Sequence, residues 1–189
     1  MNLNDPILPA GLRDAGIEIY HHKGDLFCVY QGKQYLFEEL PEDLHEIIEI
    51  QLINDPVALN SLETDMGILD SNEMLRQFVL CNYGGFDMSP DLTKEGKSEL
   101  EFWDCGRRGK CPGEGRVCKL PTGPGGALTP RELMVVRWVA KGLPDKLIAQ
   151  RMDITINSVK TYLCRIRAKI HAYNRIDIMR FAMKFDLHK

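Results

Sequence analysis

Apolar residues recur at two different periods along the 189-residue chain, and the change of period separates its elements. Gly16 to Tyr20 and Leu26 to Tyr30 are β-prone runs, joined by His22-Lys23-Gly24-Asp25 as a turn. Gln31-Gly32-Lys33 makes a second turn, and Gln34 to Phe37 supplies a third strand, so a small antiparallel sheet is expected. His21 and His22 are strand neighbours that point to opposite faces, which places them at the surface or an edge rather than together on a ligand. From Pro41 the period becomes helical: Leu44, Ile47, Ile48 and Leu52 share one side, with Glu42 and Asp43 at the start where the helix dipole favours them. Asp55-Pro56 opens a short helix reaching about Ser61, and Asp70 or Ser71 caps another through Met74, Leu75, Phe78 and Val79. Residues 1–16, with two prolines and two glycines, read as an irregular lead-in.

The C-terminal third carries a second helical pattern. Thr129 is placed as an N-cap, with Pro130 at the first helical position and Glu132 three residues after the cap. Leu128 and Leu133 can form a hydrophobic staple, and Gly142 ends the helix. Pro144-Asp145 restarts the chain, and Leu147, Ile148 and Met152 give a very short second helix its apolar side. Asp153 occupies the tight turn and Thr155 caps a third helix, along which Ile156, Val159, Leu163, Ile166 and Ile170 form one apolar stripe. Asn157, Ser158, Lys160, Thr161, Arg165, Arg167 and Lys169 lie opposite that stripe. A short helix, a tight turn and a helix apolar on one side and cationic on the other make a helix-turn-helix. Asn174 caps a fourth helix with Asp177 as its third residue; Ile176, Met179, Ala182 and Met183 are expected to pack inward, leaving Ile178 and Phe185 less covered.

Over Leu128 to Phe185 these residues resemble the LuxR/GerE-type helix-turn-helix domain. The resemblance rests on Leu128-Thr129-Pro130-Arg131-Glu132, Gly142-Leu143, Lys146 with Ile148-Ala149, Ile154-Thr155, Ser158-Val159-Lys160 and Asn174-Arg175. It implies sequence-specific binding of double-stranded DNA, with the third helix in the major groove and the fourth supporting a homodimer. Three positions depart from the family pattern: Leu147 replaces a Glu, Asp153 replaces the turn Gly, and His171 replaces the Gly after the third helix.

Charge sharpens the division. Residues 1–127 carry 11 Lys and Arg against 22 Asp and Glu, a net of −11, whereas residues 128–189 carry 13 against 5, a net of +8. An acidic body attached to a basic module assigns a polyanionic partner to the module. Between them, Leu120 to Ala127 is so rich in Pro and Gly that neither helix nor strand is expected there. The organisation expected is an α+β domain over 1–120, a Pro/Gly linker over 121–127 and an all-α four-helix module over 128–189. No apolar run approaches the roughly 18 residues of a membrane span. The stretch MNLNDPILPAGLRD lacks a basic region followed by an apolar one, so a cytoplasmic protein without a membrane segment is expected.

Four of the six cysteines, Cys81, Cys105, Cys111 and Cys118, are spaced C-x23-C-x5-C-x6-C, and glycines crowd the last three. Such a segment cannot build an apolar core, but its backbone can wrap sulfurs around one point. In a reducing compartment clustered thiols favour metal over disulfides, and four thiolates complete a tetrahedral structural zinc site. An iron–sulfur cluster and unligated or redox-active thiols remain open alternatives. Arg107, Arg108, Lys110, Arg116 and Lys119 are expected to lower the thiol pKa values. Cys28 and Cys164, without partners in sequence, read as small buried or half-buried residues.

For DNA, Asn157, Ser158, Thr161 and Arg165 are the expected base-edge readers, since Arg matches guanine and Asn adenine bidentately. Thr155, Lys146, Arg151, Lys160 and Arg167 are the expected phosphate contacts. No deaminase signature, P-loop or paired catalytic carboxylates occur. The sequence therefore points to a non-enzymatic transcription regulator with a metal-stabilised N-terminal domain. A nucleic-acid-acting enzyme and an adaptor that binds RNA polymerase are the competing readings. The N-terminal part lacks the alternating parallel strands and helices of a phosphorylatable receiver domain.

Overall fold

The computed structural model describes residues 16–86, 89–93, 97–98, 100–185 and 187; the expected lead-in lies, except for Gly16, outside them. The chain divides into a unit ending at Lys119 and a unit beginning at Leu120.

In the first unit, β1 (Ile17–His22), β2 (Asp25–Tyr30) and β3 (Lys33–Leu36) form an antiparallel sheet in the order β1-β2-β3. Ile17 stands opposite Tyr30, and Tyr30 opposite Lys33. Both hairpins turn through two residues of positive φ, Lys23-Gly24 and Gln31-Gly32, the backbone that matches the twist of the flanking strands. A single 3-10 turn, Phe37–Glu39, leads into α1 (Glu42–Ile53), α2 (Pro56–Thr64) and α3 (Ser71–Tyr83). Asp55 and Asp70 cap α2 and α3 through their carboxylates, as the sequence indicated, and α2 runs one turn past Ser61. The core joins Ile17, Ile19, Leu26 and Cys28 of the sheet to Ile48, Leu52, Leu62, Phe78, Val79 and Tyr83 of the helices. The acid-rich N-terminal part is thus an α+β unit with one face of its sheet covered by helices. Residues 100–119 follow without helix or strand.

The second unit opens with a two-stranded ribbon, β4 (Thr122–Gly123) and β5 (Gly126–Ala127), followed by α4 (Pro130–Ala140), α5 (Asp145–Met152), α6 (Ile156–Ile170) and α7 (Arg175–Lys184). The ribbon corrects the expectation that this Pro/Gly stretch sustains no strand. Its cause is packing rather than propensity. A Cβ on Gly123 would meet the Lys169 carbonyl oxygen and lie 2.6 Å from Ile170 Cα, so glycine alone lets the ribbon lie on the end of α6. Gly125 N–H donates to the Lys169 carbonyl at 2.7 Å and so caps one of the last carbonyls of α6. The core of this unit is Leu128, Leu133, Val135, Val136, Val139, Ile148, Met152, Val159, Leu163, Ile166, Ile178 and Ala182.

The two missing glycines are accommodated without loss of the fold. Asp153 ends α5 at φ 52°, ψ 50° and His171 ends α6 at φ 52°, ψ 41°, both left-handed. A β-carbon disfavours this conformation by about 1 kcal/mol relative to glycine. Asp153→Gly is therefore expected to raise the stability of the unit by about 0.5–1 kcal/mol. The midpoint of thermal unfolding, followed by circular dichroism, checks this; an unchanged or lowered midpoint would show that the Asp153 side chain compensates the strain.

Candidate nucleic-acid interface

The helix that carries the candidate base readers is held rigidly from three sides. At its start Thr155 Oγ1 accepts from Ser158 N–H at 3.0 Å, and the two hydroxyls lie 2.9 Å apart. Along its inner side Val159, Leu163 and Ile166 are buried, whereas Ile156 at the first position is exposed. At its end the ribbon cap holds Lys169, whose Nζ turns inward to Glu132 Oε2 at 2.7 Å. Lys169 is thus taken off the cationic face to which the sequence pattern assigned it.

Glu132 is the hub of that anchorage. Its carboxylate accepts from Thr129 N–H at 2.8 Å while Thr129 Oγ1 accepts from Glu132 N–H, the reciprocal capping box read from the sequence. The side chain is buried. Burial pushes its carboxyl pKa up, but the bonds from Lys169 and Thr129 outweigh that and hold it below its ordinary value. Arg175, the second residue of the Asn-Arg pair, donates to Asp145 Oδ1 at 2.7 Å and to the Leu143 carbonyl, tying the start of α7 to the α4–α5 turn. This structural role was not visible in the sequence, because both partners lie about thirty residues away.

Outward from this frame α6 presents Asn157, Lys160, Thr161, Arg165 and Arg167, all exposed. Asn157 and Thr161 occupy the middle of the arc at i, i+4 spacing, Arg165 lies on one flank, and Lys160 and Arg167 lie on the other. The Thr161 hydroxyl donates to the Asn157 carbonyl at 3.0 Å, which leaves its lone pairs facing out. Ser158 is half-buried, with its hydroxyl in the cap. Cys164 is exposed, not buried as expected: seven residues after Asn157, it falls at the centre of the same arc. Thr155, Lys146 and Arg151 are exposed around α5 and the start of α6, and the Arg151 guanidinium lies 5.0 Å from the centre of the Trp138 ring. Leu147 is exposed beside them.

The fourth helix packs on a different face from the one its sequence suggested. Ile178 and Ala182 are buried, while Ile176 and Met183 are 60% and 62% exposed and the preceding Tyr173 is 93% exposed. Apolar residues spread over more than one side of α7 (Ile176, Ile178, Met179, Phe181, Ala182 and Met183), so the sequence offers two possible stripes, and the observed one accompanies the bond from Arg175 to Asp145.

The cysteines of the first unit form no assembled metal centre. Cys81 Sγ accepts from Gln77 Nε2 at 3.2 Å and Cys118 Sγ from Arg108 Nη1 at 2.9 Å; Cys105 and Cys111 are half-buried, and all six thiols are free. Among the described residues no three His, Cys, Asp or Glu side chains stand where they could hold a metal together. Burial pushes the Cys81 thiol up to about 12, with Cys118, Cys105 and Cys111 close enough to add to the push. Cys118 is also raised, because burial outweighs the Arg108 charge that was expected to lower it. No helix among the described residues is long and apolar enough to cross a membrane.

Comparison with known proteins agrees with the second unit. The family described as bacterial regulatory proteins, luxR family, matches residues 126–182. The nitrate/nitrite response regulator protein NarL of Escherichia coli is 40% identical over 50 residues, 26% of this chain and 23% of that protein. The monoamine regulon transcriptional regulator of Klebsiella aerogenes is 40% identical over 52 residues, 28% of this chain and 23% of its own. The two-component response regulator PprB of Pseudomonas aeruginosa is 40% identical over 53 residues, 28% and 19% of the two chains. The chain thus spans about a quarter of the length of the curated relatives it matches. No solved structure matches it. The C-terminal segment of this chain, residues 126–182, belongs to the luxR family of bacterial regulatory proteins as its helix-turn-helix domain.

Proposed function

We propose that the protein is a sequence-specific, DNA-binding transcription regulator without enzymatic activity. The observation that carries this reading is the solvent face of α6. Asn157, Thr161 and Arg165 stand there on a helix capped at both ends and clamped by Glu132 and Lys169, flanked by the phosphate-seeking side chains of Lys160 and Arg167. Rigid presentation of bidentate donors is what reading base edges requires. The cations Lys146 and Arg151 and the hydroxyl of Thr155 extend the positive surface beside it, where backbone phosphates would set register. The names of the relatives, which are regulators, support the same reading. Its test is selection of bound sequences from a random double-stranded DNA pool by the full chain, followed by anisotropy titration. Convergence on one motif supports the reading, and enrichment of no sequence overturns it.

The regulator acts as a homodimer in this reading, with Tyr173, Ile176 and Met183 on the open side of α7 as the contact. Two copies then bind a palindromic site, one half-site each. Ile176→Asp with Met183→Asp is expected to give a monomer by analytical ultracentrifugation, to lower affinity for the full site by about 10–100-fold, and to leave the melting midpoint nearly unchanged because both side chains are exposed. A dimer that persists in this variant would place the contact elsewhere. Contact with RNA polymerase is the route by which a bound dimer would change initiation, and the cytoplasm is where both would meet.

A further inference from the structure

We infer that residues 103–119 together with Cys81 form a zinc site, in which Cys81, Cys105, Cys111 and Cys118 ligate as thiolates and the buried Arg108 guanidinium balances their charge. The inference concerns the first unit only and stands whether or not α6 reads DNA.

Cys118, Cys105 and Cys111 lie near enough to Cys81 to act on its charge, but no three of the side chains stand around one point, so the site requires the thiols to close on the ion. Trp103 Nε1 donates to the Leu80 carbonyl at 2.8 Å, which fixes the chain two residues before Cys105 to the residue before Cys81. Asn82, the residue after Cys81, donates through Nδ2 to the Val117 carbonyl at 2.8 Å and accepts through Oδ1 from Lys119 N–H at 3.2 Å. Both neighbours of Cys81 thus grip the loop, one just upstream of Cys105 and the other on either side of Cys118. Consecutive turns, Cys111 N–H to the Arg107 carbonyl at 3.0 Å and Val117 N–H to the Gly113 carbonyl at 2.9 Å, keep the chain on either side of Cys111 compact.

The second observation is independent of the cysteines' spacing. Arg108 is only 8% exposed, yet none of its described partners is a carboxylate. Its Nε donates to the Trp103 carbonyl at 3.1 Å, and Nη1 donates to Cys118 Sγ at 2.9 Å and to the Lys119 carbonyl at 3.4 Å. The Phe102 ring lies 4.2 Å from the guanidinium carbon, and Nη2 has no partner. Glu114, the buried carboxylate of the loop, gives one oxygen to Gly109 N–H at 2.6 Å and has no partner for the other; it makes no hydrogen bond to Arg108, although both act on the charge of Cys118. A buried cation whose hydrogen bonds go only to carbonyls and a thiol is costly, and negative charge beside it lowers that cost. Four thiols binding one zinc(II) release four protons to solvent and leave a complex of charge −2, with a Cys118 sulfur already at hydrogen-bond distance from Arg108. A charge-assisted N–H···S bond of this kind orients the ligand and favours its deprotonated form.

A single ion fits the loop better than a cluster. Thiolates around one zinc touch one another, whereas an iron–sulfur core needs a hollow for its own irons and sulfides. Here the loop is pressed onto the helices: a Cβ on Gly84 would run into the Trp103 ring, and one on Gly113 would lie 2.9 Å from Met66 Sδ.

The experiment is elemental analysis of the full chain, purified without oxygen and dialysed against a chelator, with competition against a chromophoric chelator for affinity. One zinc per chain is expected, lost in Cys105→Ser and Cys111→Ser. Arg108→Met is expected to keep one zinc but to bind it about 10–100-fold more weakly, and Arg108→Lys to fall between the two. A chain that is folded by circular dichroism yet retains no metal sinks the site. Iron with broad visible absorption overturns zinc in favour of a cluster. Affinity unchanged in both Arg108 variants overturns the charge balance, and should Arg108→Met not fold, the lysine variant decides that point alone.

Discussion

Replacing Lys160 and Arg165 together by alanine is expected to weaken specific DNA binding by about 100-fold or more. Arg165 is exposed on one flank of the α6 arc and Lys160 on the other, so one substitution removes a proposed base reader and the other a proposed phosphate contact. A bidentate guanine contact discriminates by about 1–3 kcal/mol, and each 1.4 kcal/mol is about a factor of ten. The single variants should differ in kind. Arg165→Ala relaxes preference at one base pair, whereas Lys160→Ala weakens all sequences alike and reduces the slope of log K against log salt by about 1. Neither side chain touches the core, so the folded fraction should stay at the wild-type level, which circular dichroism would verify alongside the anisotropy titration. Wild-type affinity in the double variant would remove α6 from the interface.

Glu132→Ala is expected to be the most damaging single change to the stability of the second unit, at about 2–4 kcal/mol. It deletes the acceptor of the capping box on α4 and leaves Lys169 beside a hole where its partner was. The pH dependence follows from the sign of the shift. The carboxyl is held below its ordinary value of 4.5 in the folded protein. Its contribution is therefore complete above about pH 4.5 and is lost as pH falls through the depressed folded value. Urea midpoints measured from pH 7 down to pH 3 should fall for the wild type across that acidic window and change less for Glu132→Gln. Parallel curves for the two proteins would mean that Glu132 contributes no such linkage.

What could be read in the sequence was whatever local chemistry decides. Thr129, Pro130 and Glu132 specify a helix start by their own hydrogen bonds, and Thr155, Asn174, Asp55 and Asp70 do the same, so these caps stand where the pattern put them. The stripe Val159, Leu163, Ile166 was equally plain because the other side of α6 is polar apart from Cys164 and Ala168. Packing decided the rest. The apolar residues of α7 offer two faces, and the one that packs, with Ile178 and Ala182, is the one that lets Arg175 reach Asp145. Residues 122–127 form a ribbon because glycine fits against Lys169 and Ile170, a fact about α6 rather than about the ribbon's own residues. For the cysteines, spacing indicated which side chains could share a ligand, but not that Gln77 and Arg108 would already occupy two of the sulfurs.

The ribbon gives the chain upstream of the helix-turn-helix a mechanical consequence. Cys118 and Thr122 are four residues apart, a contour of at most about 14 Å. From Thr122 the chain is bound to the last turn of α6 through Gly125 and the Lys169 carbonyl. Cys118 and the ribbon on α6 are therefore joined by only a short length of chain. A tether this short limits how far the backbone at Cys118 and the ribbon can part. Lengthening this tether with a few glycines after Leu120 would lift that limit while changing no side chain in either unit.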